Sequence, residues 1–82
     1  MNIPLQANHC LCPICQGKRD HPEKALHRQI NLLMSLMNAQ QRRLFAAFQA
    51  MQLGYGGIAR MSLISGLDRK TIRKGIHELR AG

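Results

Sequence analysis

Three cysteines stand within six positions, Cys10, Cys12 and Cys15, in the run HCLCPICQGKRDH. Cys12 and Cys15 form a C-x-x-C pair whose Pro13 and Gly17 suit a tight turn, so both thiolates can grip one ion as in a zinc-ribbon knuckle. Tetrahedral zinc takes four ligands, and the spacing favours Cys10, Cys12, Cys15 and His21, which close a compact site within twelve residues. His9 and His27 are the substitutes for the histidine, and a site shared between two chains is the remaining arrangement. An iron–sulfur cluster normally asks for four cysteines. A redox C-x-x-C would need a βαβ context that is absent. The expected cofactor is a structural zinc, stapling an arm too poor in apolar residues to fold alone.

The second chemistry is cationic. Arg69, Lys70, Thr71, Arg73, Lys74 and His77 share one short segment, DRKTIRKGIHEL, and Arg60 lies just before it. Arginine and lysine read guanine edges in the major groove. Arg69, Lys70 and Arg73 are therefore the expected base contacts, with Arg60, Thr71, Lys74 and His77 on phosphates. Twelve Lys and Arg against four Asp and Glu give a net charge of +8, a field whose commonest partner is nucleic acid. The acids are Asp20, Glu23, Asp68 and Glu78, all in helix or cap positions, and no acid/base or nucleophile constellation marks an enzyme or a small-molecule substrate.

The elements that hold these residues read as helices. Only Phe45, Phe48 and Tyr55 are aromatic, so the core must come from Leu, Ile, Met and Ala. The fold class expected is all-α: a small helical domain over residues 23–82 with a homeodomain-like helix-turn-helix at 58–80, preceded by a short Cys/His metal knuckle within a 1–22 arm whose first eight residues are loose. Pro22 and Glu23 open a helix that runs to Met37. Leu26, Ile30, Leu33 and Met37 make its seam, and Leu32 and Leu36 a second stripe. So wide an apolar arc on a chain that buries only about 60% of its unfolded surface points to a homodimer through residues 26–37. Asn38 with Gln41 is a capping box for a helix that buries Leu44, Phe45, Ala47, Phe48 and Met51, with Gly54 as its left-handed stop. In the last pair Met61 is buried, Ser62 and Gly75 are small at the crossings, Gly66 takes the turn, and Asp68 caps. Ile72, Ile76 and Leu79 dock the second helix, and Ser65 is the poor fit.

The stretch RRLFAAFQAMQLGYGGIARMSLISGLDRKTIRKGIHELRAG resembles the N-terminal DNA-binding region of a group of DDE-type insertion-sequence transposases. Gly54-Tyr55-Gly56-Gly57-Ile58-Ala59, Gly66-Leu67-Asp68-Arg69-Lys70-Thr71-Ile72-Arg73 and Glu78-Leu79 carry the likeness, over residues 41–82 and not over the cysteine-rich start. In that family the region is expected to bind the element's terminal DNA, with a catalytic domain following. The four acids of this chain do not supply that domain's carboxylates.

The expected function is sequence-specific binding of double-stranded DNA, as a transcriptional regulator or a transposase-derived module. The rival is a metal-dependent adaptor that uses the knuckle and the apolar helix. No apolar run is long enough to span a bilayer and no signal peptide opens the chain. The expected location is therefore cytoplasmic and nucleoid-associated.

Overall fold

Five helices follow one another in the computed structural model, which describes residues 7–82: α1 (Pro13–Gln16), α2 (Pro22–Ser35), α3 (Ala39–Leu53), α4 (Gly57–Ser65) and α5 (Arg69–Ala81). No strand occurs among the described residues, and none of the described helices is long and apolar enough to cross a membrane. Residues 1–6 of the expected loose arm lie outside the described residues, and the arm is already tied to α4 at Asn8.

Local chemistry explains most of the boundaries. Pro13 and Pro22 each start a helix where a missing N–H costs nothing. Asn38 Oδ1 accepts from the Gln41 N–H at 2.8 Å while Gln41 Oε1 accepts from the Asn38 N–H at 2.9 Å. This reciprocal box starts α3 and separates it from α2. α2 ends at Ser35, earlier than the expected Met37, where Leu36 and Met37 donate back to Leu33 and Met34 in tighter turns. Gly54 closes α3 at φ 72° and ψ −135°, a positive φ outside the left-handed helical well expected for it. Asp68 holds the N-cap position of α5 without a side-chain capping bond.

α3 is the platform. α4 and α5 both pack on it and on each other, while α2 touches α3 and α4 more lightly. The buried core is Cys12, Ile30, Met34, Ala46, Ala47, Ala50, Met61, Ile64 and Ile72. The alanines are the reason the expected α3 face is corrected. Ala46, Ala47 and Ala50 let neighbouring helices come close, which turns Phe48 (50% exposed) and Met51 to the opposite side. Gly75 of α5 uses this closeness: a Cβ there would meet the Arg43 carbonyl oxygen at 2.6 Å and Ala47 Cβ at 2.8 Å.

α2 is also rotated from the expected seam. Its buried face is His27, Ile30, Asn31 and Met34. Leu26 and Leu33, 51% and 52% exposed, and Leu36 face outward instead. Two polar side chains face inward because each finds a partner there: His27 among the thiols, and Asn31 at the Ile64 carbonyl. Leu79 is likewise exposed, so α5 is docked by Ile72 and Gly75 with Ile76 half-buried. Ser65, the expected misfit, is buried and satisfied: its hydroxyl donates to the Met61 carbonyl and accepts from the Leu67 N–H.

Candidate metal centre and cationic helix

The knuckle is built from the backbone outward. Cys12 caps the single turn α1 in extended geometry, and the Gln16 N–H closes the turn onto the Cys12 carbonyl at 3.0 Å. Gln16 Nε2 holds the Cys10 carbonyl at 2.9 Å, and the Cys12 N–H points at Cys10 Sγ at 3.4 Å. Three sulfurs are thereby turned to one side. From the other side α2 brings His27, whose ring is buried.

The four ligand atoms of Cys10, Cys12, Cys15 and His27 all lie within 4.8 Å of one another. His27 Nδ1 is 3.4, 3.3 and 3.4 Å from the sulfurs of Cys10, Cys12 and Cys15. One ring nitrogen offers one hydrogen or one lone pair, so it cannot hydrogen-bond three thiols at once. Near-equal spacing suits a shared central atom instead. A tetrahedral zinc with bonds of about 2.3 Å to sulfur and about 2.0–2.1 Å to nitrogen separates those two atoms by about 3.6 Å. The cluster is compatible with a zinc site in donor type, number and spacing.

Burial sets the titration of the cluster. Burial pushes the Cys10 thiol up to about 12, and the neighbouring thiols add to the effect. Burial also pushes Cys15 up, and the nearby Cys12 charge keeps it there. Burial acts on Cys12 in the same sense, but the hydrogen bonds it receives from the Cys15 and Ile14 backbone and the two other thiols outweigh it and bring it down. Burial holds the His27 imidazole below its usual value, leaving a neutral ring with a lone pair to give.

The fourth position expected for His21 is therefore occupied by His27. His21 is exposed and serves as the N-cap of α2, its Nδ1 accepting the Glu23 N–H at 3.1 Å. His9 is exposed and outside the cluster. His27 shares a helical face with Ile30, Asn31 and Met34, the face that turns inward, and apolar periodicity does not mark that face.

The cationic residues are brought together on α5. Arg69, Lys70, Arg73, Lys74 and His77 are exposed and Thr71 is half-buried. Arg69, Arg73, His77 and Arg80 follow one another at helical spacing beside Ile72 and Ile76, while Lys70, His77 and Lys74 face away from the docked Ile72 and Gly75. Arg80 lines one shallow hollow of ≈ 320 Å³ with Ile58, Arg73, Ile76 and His77. Among the described residues the ion pairs are Arg43 with Glu78, and Arg60 with Glu23 at 3.9 Å. Arg60 thus sits on α4 beside an acid of α2, apart from the α5 row.

No protein-family model, no curated protein and no solved structure matches this chain.

Proposed function

We propose that this chain binds double-stranded DNA, with α4 and α5 as a helix-turn-helix, α5 in the major groove, and a structural zinc on Cys10, Cys12, Cys15 and His27. The observation that carries the reading is the cationic surface of α5: Arg69, Lys70, Arg73, Lys74, His77 and Arg80 are all exposed, with none of them in the ion pairs of the described residues. A helix docked by Ile72 and Gly75 on one side and cationic on the other is the arrangement that groove insertion needs. Arg69, Lys70 and Arg73, near its N-terminal end, would reach base edges. Thr71, Lys74, His77 and Arg60 would hold phosphates. The likeness of residues 41–82 to transposase DNA-binding regions supports the same reading. The exposed Leu26, Leu33 and Leu36 give a second copy of the chain a self-complementary α2 face, which would pair two reading helices on one site.

Fluorescence anisotropy with the zinc-loaded chain and a random duplex is the test. Binding is expected at about 50 mM salt, with log K falling by about 0.9 for each phosphate neutralised as log salt rises. Selection from a random DNA pool should then enrich one motif. The rival reading is a metal-dependent adaptor that docks a partner through the cysteine knuckle and the apolar helix of residues 23–37, where Leu26, Leu33 and Leu36 are exposed. Absence of binding at low salt would remove the DNA reading in its favour.

A further inference from the structure

The cysteine cluster and the cationic helix are joined by a short set of hydrogen bonds at the end of α4. A helix leaves its last four carbonyls without partners inside the helix. In α4 these belong to Ser62, Leu63, Ile64 and Ser65. Ser62 is satisfied by the Gly66 N–H at 2.9 Å, the turn's own bond. Leu63 and Ile64 are satisfied from elsewhere in the chain. The Leu11 N–H donates to the Leu63 carbonyl at 2.9 Å, and Leu11 is the residue between Cys10 and Cys12. Asn8 Nδ2 donates to the Ile64 carbonyl at 3.0 Å from two residues before Cys10. Asn31 Nδ2 donates to the same carbonyl at 2.8 Å, one turn along α2 from His27.

Every outside donor is thus within one helical turn, in sequence, of a residue of the cluster. The same carbonyls end the helix from which the Gly66–Leu67–Asp68 turn launches α5. Gly66 is in the left-handed region at φ 77°, and a Cβ on it would also meet Asn8 Oδ1 at 2.7 Å, so the arm lies directly against the turn. The arm is held otherwise by Cys12 in the core, by half-buried Cys10, Ile14 and Cys15 packed against it, and by the bond from Lys24 Nζ to the Gly17 carbonyl. Leu11 is exposed, and Cys12 is the one side chain of residues 7–17 that is fully buried.

The geometry points to metal occupancy as the control on this turn: a thiophilic divalent cation of the zinc class, by fixing Cys10, Cys12 and Cys15 to His27, clamps the α4 carbonyls and sets α5 in its reading position. The cation joins the arm to α2, so the donors flanking Leu63 and Ile64 are held from both sides at once. Without it the arm's two bonds to α4 are left to an exposed segment, and the launch of α5 loosens while the α3 platform stays. The DNA consequence rests on the function proposed above, whereas the clamp itself does not.

Amide hydrogen exchange on the full chain, loaded with one equivalent of zinc or stripped with a chelator, reads the clamp directly. Stripping should speed exchange at Gly66 and Leu67 about tenfold or more, while the Ala47 and Ala50 amides of α3 keep their protection. Anisotropy with one DNA duplex in the same two states should show affinity falling by a similar factor. Asn8→Ala leaves all four cluster residues in place. It should take up one zinc as before and move Gly66 exchange part of the way to the stripped value. The clamp is overturned if Gly66 and Leu67 ignore zinc, if Asn8→Ala leaves their exchange at the zinc-loaded value, or if α3 loses protection together with the turn. In that last case the metal is a staple for the whole fold. Equal DNA affinity in both states overturns the control of binding and leaves the DNA reading standing. A zinc-responsive turn with no DNA binding in either state overturns the DNA reading and leaves the clamp standing.

Discussion

Gly75 of α5 and Ala47 of α3 approach so closely that a methyl group on the glycine would lie 2.8 Å from Ala47 Cβ and 2.6 Å from the Arg43 carbonyl oxygen. Two opposing effects meet there. Alanine in place of a helical glycine gains about 0.5–1 kcal/mol from backbone entropy. Overpacking a tight contact costs about 1–3 kcal/mol, and here one neighbour is backbone that cannot rotate away. Steric cost wins, so Gly75→Ala should lower stability, seen as a lower urea midpoint. A midpoint equal to or above the parent's would mean that the α3–α5 contact is looser than described.

His27 and His21 separate ligand from cap. His27→Ala removes one of the four donors of the cluster and should weaken zinc binding by tenfold or more against a competing chelator, an order-of-magnitude expectation. His21→Ala removes a side-chain acceptor from the Glu23 N–H and should cost about 0.5–2 kcal/mol of stability with zinc affinity unchanged. A loss of zinc affinity from His21→Ala equal to that from His27→Ala would contradict the assignment.

What could be read from the sequence was what is decided locally. The Asn38–Gln41 box, the proline start of α2, the Gly66 turn, and Ile72 and Gly75 at the α5 contact depend on residues a few positions apart, and each was legible, whereas the turn expected at Pro13 is a short helix. The inward face of α2 was not. Leu26, Leu33 and Leu36 outnumber its buried apolar residues, yet His27 and Asn31 turn inward because thiols 12–17 residues away and a carbonyl 33 residues away receive them. Apolar periodicity carries no record of such partners. The same holds on α3, where close helix approach selects the alanine side over the larger Phe48 and Met51. The three cysteines were legible as a metal set, and the histidine completing it depended on that unreadable rotation.

Arg43 and Glu78 give the fold a pH dependence with a defined sign. Arg43 Nε bonds Glu78 Oε1, and Nη2 bonds Oε2 at 3.1 Å, tying α3 to α5. These hydrogen bonds, and then the arginine charge, hold the Glu78 carboxyl below its ordinary value of 4.5. A depressed carboxyl contributes stability above the unfolded value and loses it as pH falls through the folded one. The parent should therefore be more stable than Glu78→Gln at neutral pH, and the gap should shrink as pH drops below 4.5. Urea midpoints of both proteins across that range measure it. A gap that stays constant would assign the difference to packing.

Arg73 and Lys74 stand side by side on α5, both exposed, and they separate reading from holding. Arg73 continues the row of Arg69 and His77 and lies in the N-terminal half of α5, so on the proposed function it reaches a base edge. Lys74 lies a further 100° round the helix, and on the proposed function it holds a phosphate. A bidentate arginine contact to a guanine discriminates by about 1–3 kcal/mol, whereas a phosphate contact is blind to sequence. Arg73→Ala should weaken binding to a selected site by about that amount, barely change binding to random duplex, and relax selection at one base position. Lys74→Ala should weaken both equally and flatten the salt dependence by about one counterion. The two isotherms and their salt slopes distinguish the roles: equal loss on both DNAs from Arg73→Ala would place it on the phosphates and move the reading to Arg69 and Lys70.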